Sequence, residues 1–135
     1  DIMSVFMELY EAGYPIEKIR LVDEYDADDE LSMQDNNSSC FNYRVVKGTT
    51  RVSHHGKGAA VDINPLYNPC VRVKSDGQIT VEPADGLPYT DRSRDFPHKI
   101  DENDICYRIF KKYGFQWGGS WSNPKDYQHF EKIIR

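Results

Sequence analysis

An α+β fold is the expectation for this chain, with a central antiparallel sheet flanked by helices in a single small domain. Three observations lead there. Apolar residues recur at helical spacing near residues 2–10 and again over 101–113. Elsewhere the apolar runs are short and are bounded by Gly, Pro, Asn and Asp, as strands in an antiparallel sheet are. Finally, 135 residues is the size of one domain, and 39% hydrophobic with 13% aromatic residues suffices for a packed core without staples. We therefore expect one domain over 1–135, with a helical and loop segment over 1–40 and the core of the fold over 41–135. No internal repeat or low-complexity linker divides it.

The elements follow in order. Ile2, Met3, Val5, Phe6, Leu9 and Tyr10 sit at helical intervals, and Ala12-Gly13 can end that helix. Pro15 starts a second element. Ile19, Leu21, Val22 and Tyr25 suggest a short strand before an acidic stretch, and the turn chemistry of Asp35-Asn36-Asn37-Ser38-Ser39 feeds a strand over Phe41–Val46. After Asn64 comes a long connection rich in Asn-Pro and Asp-Gly pairs, with room for short strands at Val71–Val73 and Ile79–Val81. Asp101 to Tyr113 forms the second helix, with Asp101 as its cap and Gly114 as its end.

Composition excludes several classes of function. Seventeen basic residues against 22 acidic ones leave a net charge of −5, and no Lys/Arg cluster forms a phosphate track, so nucleic acid is not an expected partner. Seven acids fall between Leu21 and Tyr43 with no Lys or Arg among them; they read as a solvated segment, since the ligand order and central Gly of a calcium loop are missing. No apolar run approaches the ~20 residues that span a bilayer. Cys40, Cys70 and Cys106 have neither metal-type nor framework spacing. One disulfide with one free thiol, or three reduced thiols, both satisfy the sequence. The start at Asp1 is compatible with a processed product, and a monomer is expected.

Two clusters carry chemistry. In Ser53-His54-His55-Gly56-Lys57-Gly58-Ala59-Ala60-Val61-Asp62, strand alternation after Gly58 puts Ala60 and Asp62 on one face and Val61 on the other. The small alanines leave space above the sheet. In Asp126-Tyr127-Gln128-His129-Phe130-Glu131, Asp126 and His129 are brought together by one helical turn or a tight loop. In a strand starting near His129, Glu131 shares its face while Phe130 packs inward. One His and one Asp from the first cluster with one His from the second make three ligands, leaving a fourth zinc position open to water. A nearby carboxylate can then take that water's proton. His98, in a turn-rich region, is read as an ordinary surface or core residue.

Ser53-x-His55-x-x-Gly58-x-Ala60-x-Asp62 resembles the first zinc signature of the D-alanyl-D-alanine metallopeptidases, a group that includes vancomycin-resistance D,D-dipeptidases and phage endolysins. Asp126-x-x-His129 is similar to their second signature, and Trp117-Gly118-Gly119-x-Trp121 resembles the endolysin branch. The resemblance runs from about Phe41 to Glu131 and implies one Zn²⁺ per chain, held by His55, Asp62 and His129, with His54 as the register alternative to His55. It implies Asp126 as the catalytic base, where many relatives carry Glu; Glu131, which can share a strand face with His129, is the competing candidate. It implies Arg44 as the partner of the scissile carbonyl oxygen or of a substrate carboxylate, and Ser53 as a substrate-facing serine. Trp117, Trp121 and Tyr127 are candidate walls of a peptide groove. The implied activity is hydrolysis of peptidoglycan stem peptides outside the cytoplasm, as a D-alanyl-D-alanine carboxypeptidase or, alternatively, an L-alanyl-D-glutamate-type endopeptidase. Similarity to Hedgehog-type domains adds a non-catalytic zinc-binding module, which would keep the ligands and lose the base; the presence of Asp126 argues against it.

Overall fold

The helical spacing at the start of the chain becomes helix α1 (Ile2–Glu11), which turns Val5 and Leu9 into the core. The computed structural model describes residues 2–20, 22–26, 28–44 and 57–134. The second helical pattern becomes α3 (Ile105–Lys112), with Cys106, Ile109 and Phe110 buried. Its cap is Asp104, not Asp101: the Asp104 side chain accepts from the Cys106 amide at 3.0 Å, whereas Asp101 accepts from the Asn103 amide at 2.9 Å in the preceding turn. Gly114 ends the helix at φ +88°, a left-handed conformation that suits glycine.

The acidic stretch holds a helix the sequence did not announce, α2 (Asp29–Gln34), capped by Asp28, which accepts from the Leu31 amide at 3.2 Å. At six residues it is too short to show a helical period. Among the described residues of the preceding segment only Lys18–Ile19 (β1) forms a strand, and Val22–Tyr25 makes a 3₁₀ turn where strand was expected. Strand β2 (Asn37–Arg44) begins earlier than its apolar run. Asn36, at φ +56°, makes the turn, and the Asn37 side chain accepts from the Arg20 amide at 2.7 Å, so these polar residues are already held beside the sheet. The rest of the expected strand, residues 45 and 46, lies outside the described residues.

Strand β3 (Lys57–Asp62), the hairpin β4 (Cys70–Val73) and β5 (Ile79–Glu82), and the short β6 (Gln116–Trp117) and β7 (Lys125–Asp126) lead to β8 (His129–Ile134). One sheet has the order β1-β2-β3-β8-β6 and a second has β5-β4-β7. Among the described residues all pairs are antiparallel except β1 with β2, which departs from the expected antiparallel sheet. The α+β class stands.

The core lies between the larger sheet and helices α1 and α3. Ala59, Val61, Ile63 and Phe130 meet Val5, Leu9, Ile109 and Phe110 there. Phe130 is fully buried and stacks on Phe110 with ring centroids 4.1 Å apart. Outside the β4–β5 hairpin, the connection from Asn64 to Ile100 relies on buried amides to satisfy much of its backbone. Asn68 donates to the Asn64 and His98 carbonyls and accepts from the Ile100 amide and Arg92. Phe130→Ala should lower stability by about 3–5 kcal/mol, from lost burial plus an unfilled cavity. Denaturant titration of both proteins reads this as a lower midpoint at similar slope.

Candidate active site

The β3–β8 register places Val61 opposite Phe130 and Asp62 opposite His129. Because side chains alternate, burying Val61 and Phe130 in the core turns Asp62, His129 and Glu131 to the other face. The alternation expected from the sequence is therefore borne out, including inward packing of Phe130. His129 Nδ1 lies 2.9 Å from Asp62 Oδ1, and its Nε2 lies 2.8 Å from Glu131 Oε1. These side chains are mostly buried, at 13%, 21% and 25% exposure for His129, Asp62 and Glu131. Burial by itself would lower the proton affinity of His129, but hydrogen bonds to the two carboxylates outweigh it and push its pKa up to about 10.

Asp126 arrives from the other sheet. It ends β7, opposite Cys70 of β4, and the turn Tyr127-Gln128 then passes the chain into β8. That turn is tied on several sides: the Ile63 amide donates to the Gln128 carbonyl at 2.9 Å, and Trp117 Nε1 donates to the Tyr127 carbonyl at 2.8 Å. Gly118 packs against Asp126 so closely that a Cβ there would sit 2.5 Å from the Asp126 carbonyl oxygen. Any side chain at 118 would displace the acid. Asp126 Oδ1 is buried and has no hydrogen-bond partner among the described residues. Loss of water, reinforced by the negative charge of Asp62, pushes its pKa up to about 7.

A cavity of about 480 Å³ opens over these groups, and its lining includes Asp62, Cys70, Arg72, Glu82, Trp121 and Asp126. Trp121 reaches both cavity and site, its ring centroid 5.5 Å from that of His129. The other two expected groove walls lie elsewhere. Trp117 is a core residue at 6% exposure, packed edge-on against Tyr107, because β6 pairs with β8 over the buried Phe130. Tyr127 lies beneath the Arg92 guanidinium, 4.3 Å from its ring centroid. Ser53, His54 and His55 fall outside the described residues; Arg44 is described as the end of β2, opposite Lys57. His98 hydrogen-bonds through Nδ1 to the Pro15 carbonyl, far along the chain from either cluster. Cys40, Cys70 and Cys106 are all free thiols.

Sequence reasoning missed Cys70, Arg72 and Glu82 as neighbours of the site. The alternation of Cys70-Val71-Arg72-Val73 signals a strand, but nothing in it says that Asp126 would be its partner.

The donor types suit a metal, and the described residues supply two of the three expected. No cluster of three or more His, Cys, Asp or Glu side chains suited to a metal occurs among the described residues. Two of the three expected ligands, Asp62 and His129, are nevertheless in contact across paired strands, and the third, His55, lies outside the described residues. The Asp62 carboxylate and the His129 imidazole are donors of the kind zinc sites use. The Glu131 contact resembles the carboxylates that orient ligating histidines.

A family model described as D-alanyl-D-alanine carboxypeptidase matches residues 47–132, nearly two-thirds of the chain. The chain belongs to this family of peptidases. The match spans both clusters, as the sequence resemblance implied. No curated protein and no solved structure matches the chain. Among the described residues no helix is long and apolar enough to cross a membrane.

The raised pKa values of Asp126 and His129 give a signed prediction for metal-free protein. Between its ordinary value of 3.8 and about 7, folded Asp126 holds a proton that the unfolded chain releases, so its contribution to stability falls as pH rises. His129 contributes stability that is fully present below 6.5 and is lost as pH climbs through about 10. Thermal melts in chelator should therefore fall from pH 4 upward, and Asp126→Asn should flatten the part between pH 4 and 7. An unchanged slope in the variant would place the ionising group elsewhere.

Proposed function

We propose that this peptidase is a zinc-dependent hydrolase of peptidoglycan stem peptides, acting as a D-alanyl-D-alanine carboxypeptidase outside the cytoplasm. The observation that carries the reading is the buried Asp126, its Oδ1 without a hydrogen-bond partner among the described residues, beside the Asp62–His129 pair in a peptide-sized cavity. The family match supports the activity class. Asp62 and His129, with His55, would hold the zinc, whose Lewis acidity polarises a carbonyl and makes water acidic near neutral pH.

The chain's own residues supply the proton chemistry. Asp126, poised near neutrality, accepts a proton from the attacking water and returns it to the leaving amine. The walls around it exclude competing water, which is also what raises its proton affinity. Glu131 is bonded to His129 Nε2, and that engagement favours Asp126 as the base and Glu131 as the residue that orients the imidazole. Arg44 is assigned to the carbonyl oxygen as negative charge develops there.

The test is digestion of purified muropeptides with mass-spectrometric readout: loss of a single terminal alanine is expected, whereas a cut within the stem would identify an endopeptidase. Asp126→Ala should keep zinc near one per chain while hydrolysis falls by about 10²–10⁴. His129→Ala should lose both metal and activity. If Glu131→Ala is inactive with zinc retained while Asp126→Ala stays active, the base is Glu131.

A further inference from the structure

We propose that Arg72, on the wall of the cavity that Asp62 and Asp126 also line, is the residue that recognises a carboxylate of the substrate. The inference rests on the reading of this site as a peptidase of stem peptides. Arg72 and Cys70 are two apart in β4 and so share a face. Both line the cavity, and Cys70 is the cross-strand partner of Asp126. At ~3.4 Å per residue, Arg72 therefore starts about 7 Å along the strand from the level of Asp126.

The charge pattern of the cavity gives that position its meaning. The acids that line it are Asp62, Glu82 and Asp126; Arg72 is the one cation among the described lining residues. Its guanidinium has no hydrogen-bond or ion-pair partner among the described residues, and the residue is exposed. Arg92 shows the contrast, with its guanidinium spent on the carbonyls of Tyr67, Tyr89 and Ile100 and on Asn68. Acidic walls repel an anionic peptide, so an unengaged guanidinium supplies the attractive contact that binding such a peptide requires. The fork of an arginine matches a carboxylate through two parallel hydrogen bonds. A peptide covers at most ~3.6 Å per residue, so Arg72 meets a carboxylate one or two residues from the scissile bond. Stem peptides offer two: the C-terminal carboxylate and the free α-carboxylate of a γ-linked D-glutamate.

The experiment compares wild type, Arg72→Gln and Arg72→Lys, all zinc-loaded, on three synthetic stem pentapeptides. One carries both carboxylates, one is a C-terminal amide, and one has isoglutamine in place of isoglutamate. On the fully acidic peptide Arg72→Gln should raise KM about 10–100-fold with kcat little changed, the mark of lost binding of a charged group, and Arg72→Lys should recover part of it. The penalty should shrink toward none on whichever peptide lacks the recognised carboxylate, which names its source. Equal penalties on all three peptides, or none on any, would overturn the proposal. Equilibrium binding of the same peptides to Asp126→Ala, with and without Arg72→Gln, separates the two readings. Arg72-dependent binding without cleavage by wild type would sink the hydrolase assignment and leave carboxylate recognition standing, and absence of all binding would sink both.

Discussion

The antiparallel pairing of β3 with β8 is the constraint on which the rest of this site depends. Its register sets Val61 against Phe130 and Asp62 against His129. A slip of one residue would exchange the faces, burying a carboxylate and an imidazole in an apolar core and exposing Phe130. Stacking of Phe130 on Phe110, backed by α1 and α3, makes that exchange costly. Core packing thus fixes the geometry of the polar face without touching it.

The second sheet contributes the acid that the first cannot. Asp126 is delivered by β7, whose partner is β4, and the two sheets are joined by the Tyr127-Gln128 turn. Glycine at 118 allows the backbone to close on Asp126, and Trp117 holds the turn from the core side. The acid is consequently removed from water, and desolvation brings its pKa into the neutral range. The same burial that packs the junction between sheets makes Asp126 suited to proton transfer. Structural and chemical demands coincide here.

The long connection between Asn64 and Ile100 shows a different solution to positioning. Outside the β4–β5 hairpin it has few ladder hydrogen bonds, so Asn68 and Arg92 tie its carbonyls and amides to one another, and Asn64 reaches out to the Pro15 carbonyl. The Arg92 guanidinium also covers Tyr127, which links this region to the turn between Asp126 and His129. The β4–β5 hairpin held by this framework carries Cys70, Arg72 and Glu82 to the cavity.

Much was legible in the residues themselves. Two helical periods located α1 and α3, and the alternation in Ala59-Ala60-Val61-Asp62 assigned faces that the structure reproduces. Spacing alone put Asp126 near His129, and motif order pointed to the family. These signals are local, because backbone geometry converts sequence interval directly into direction. Helix α2 is not legible because six residues carry too little periodicity, and the sequence does not separate Asp101 from Asp104 as the cap, because capping depends on which acid meets the free amides. Trp117 could not be told from a groove wall, since an aromatic residue suits either role until its neighbours are known. The sequence by itself determined the fold class and pointed to candidate donor residues; only the tertiary structure decided that Asp126 meets Cys70, that Arg72 shares their cavity, and that Glu131 binds His129. Those decisions rest on pairings between distant strands, whose register is set by the burial of the whole core.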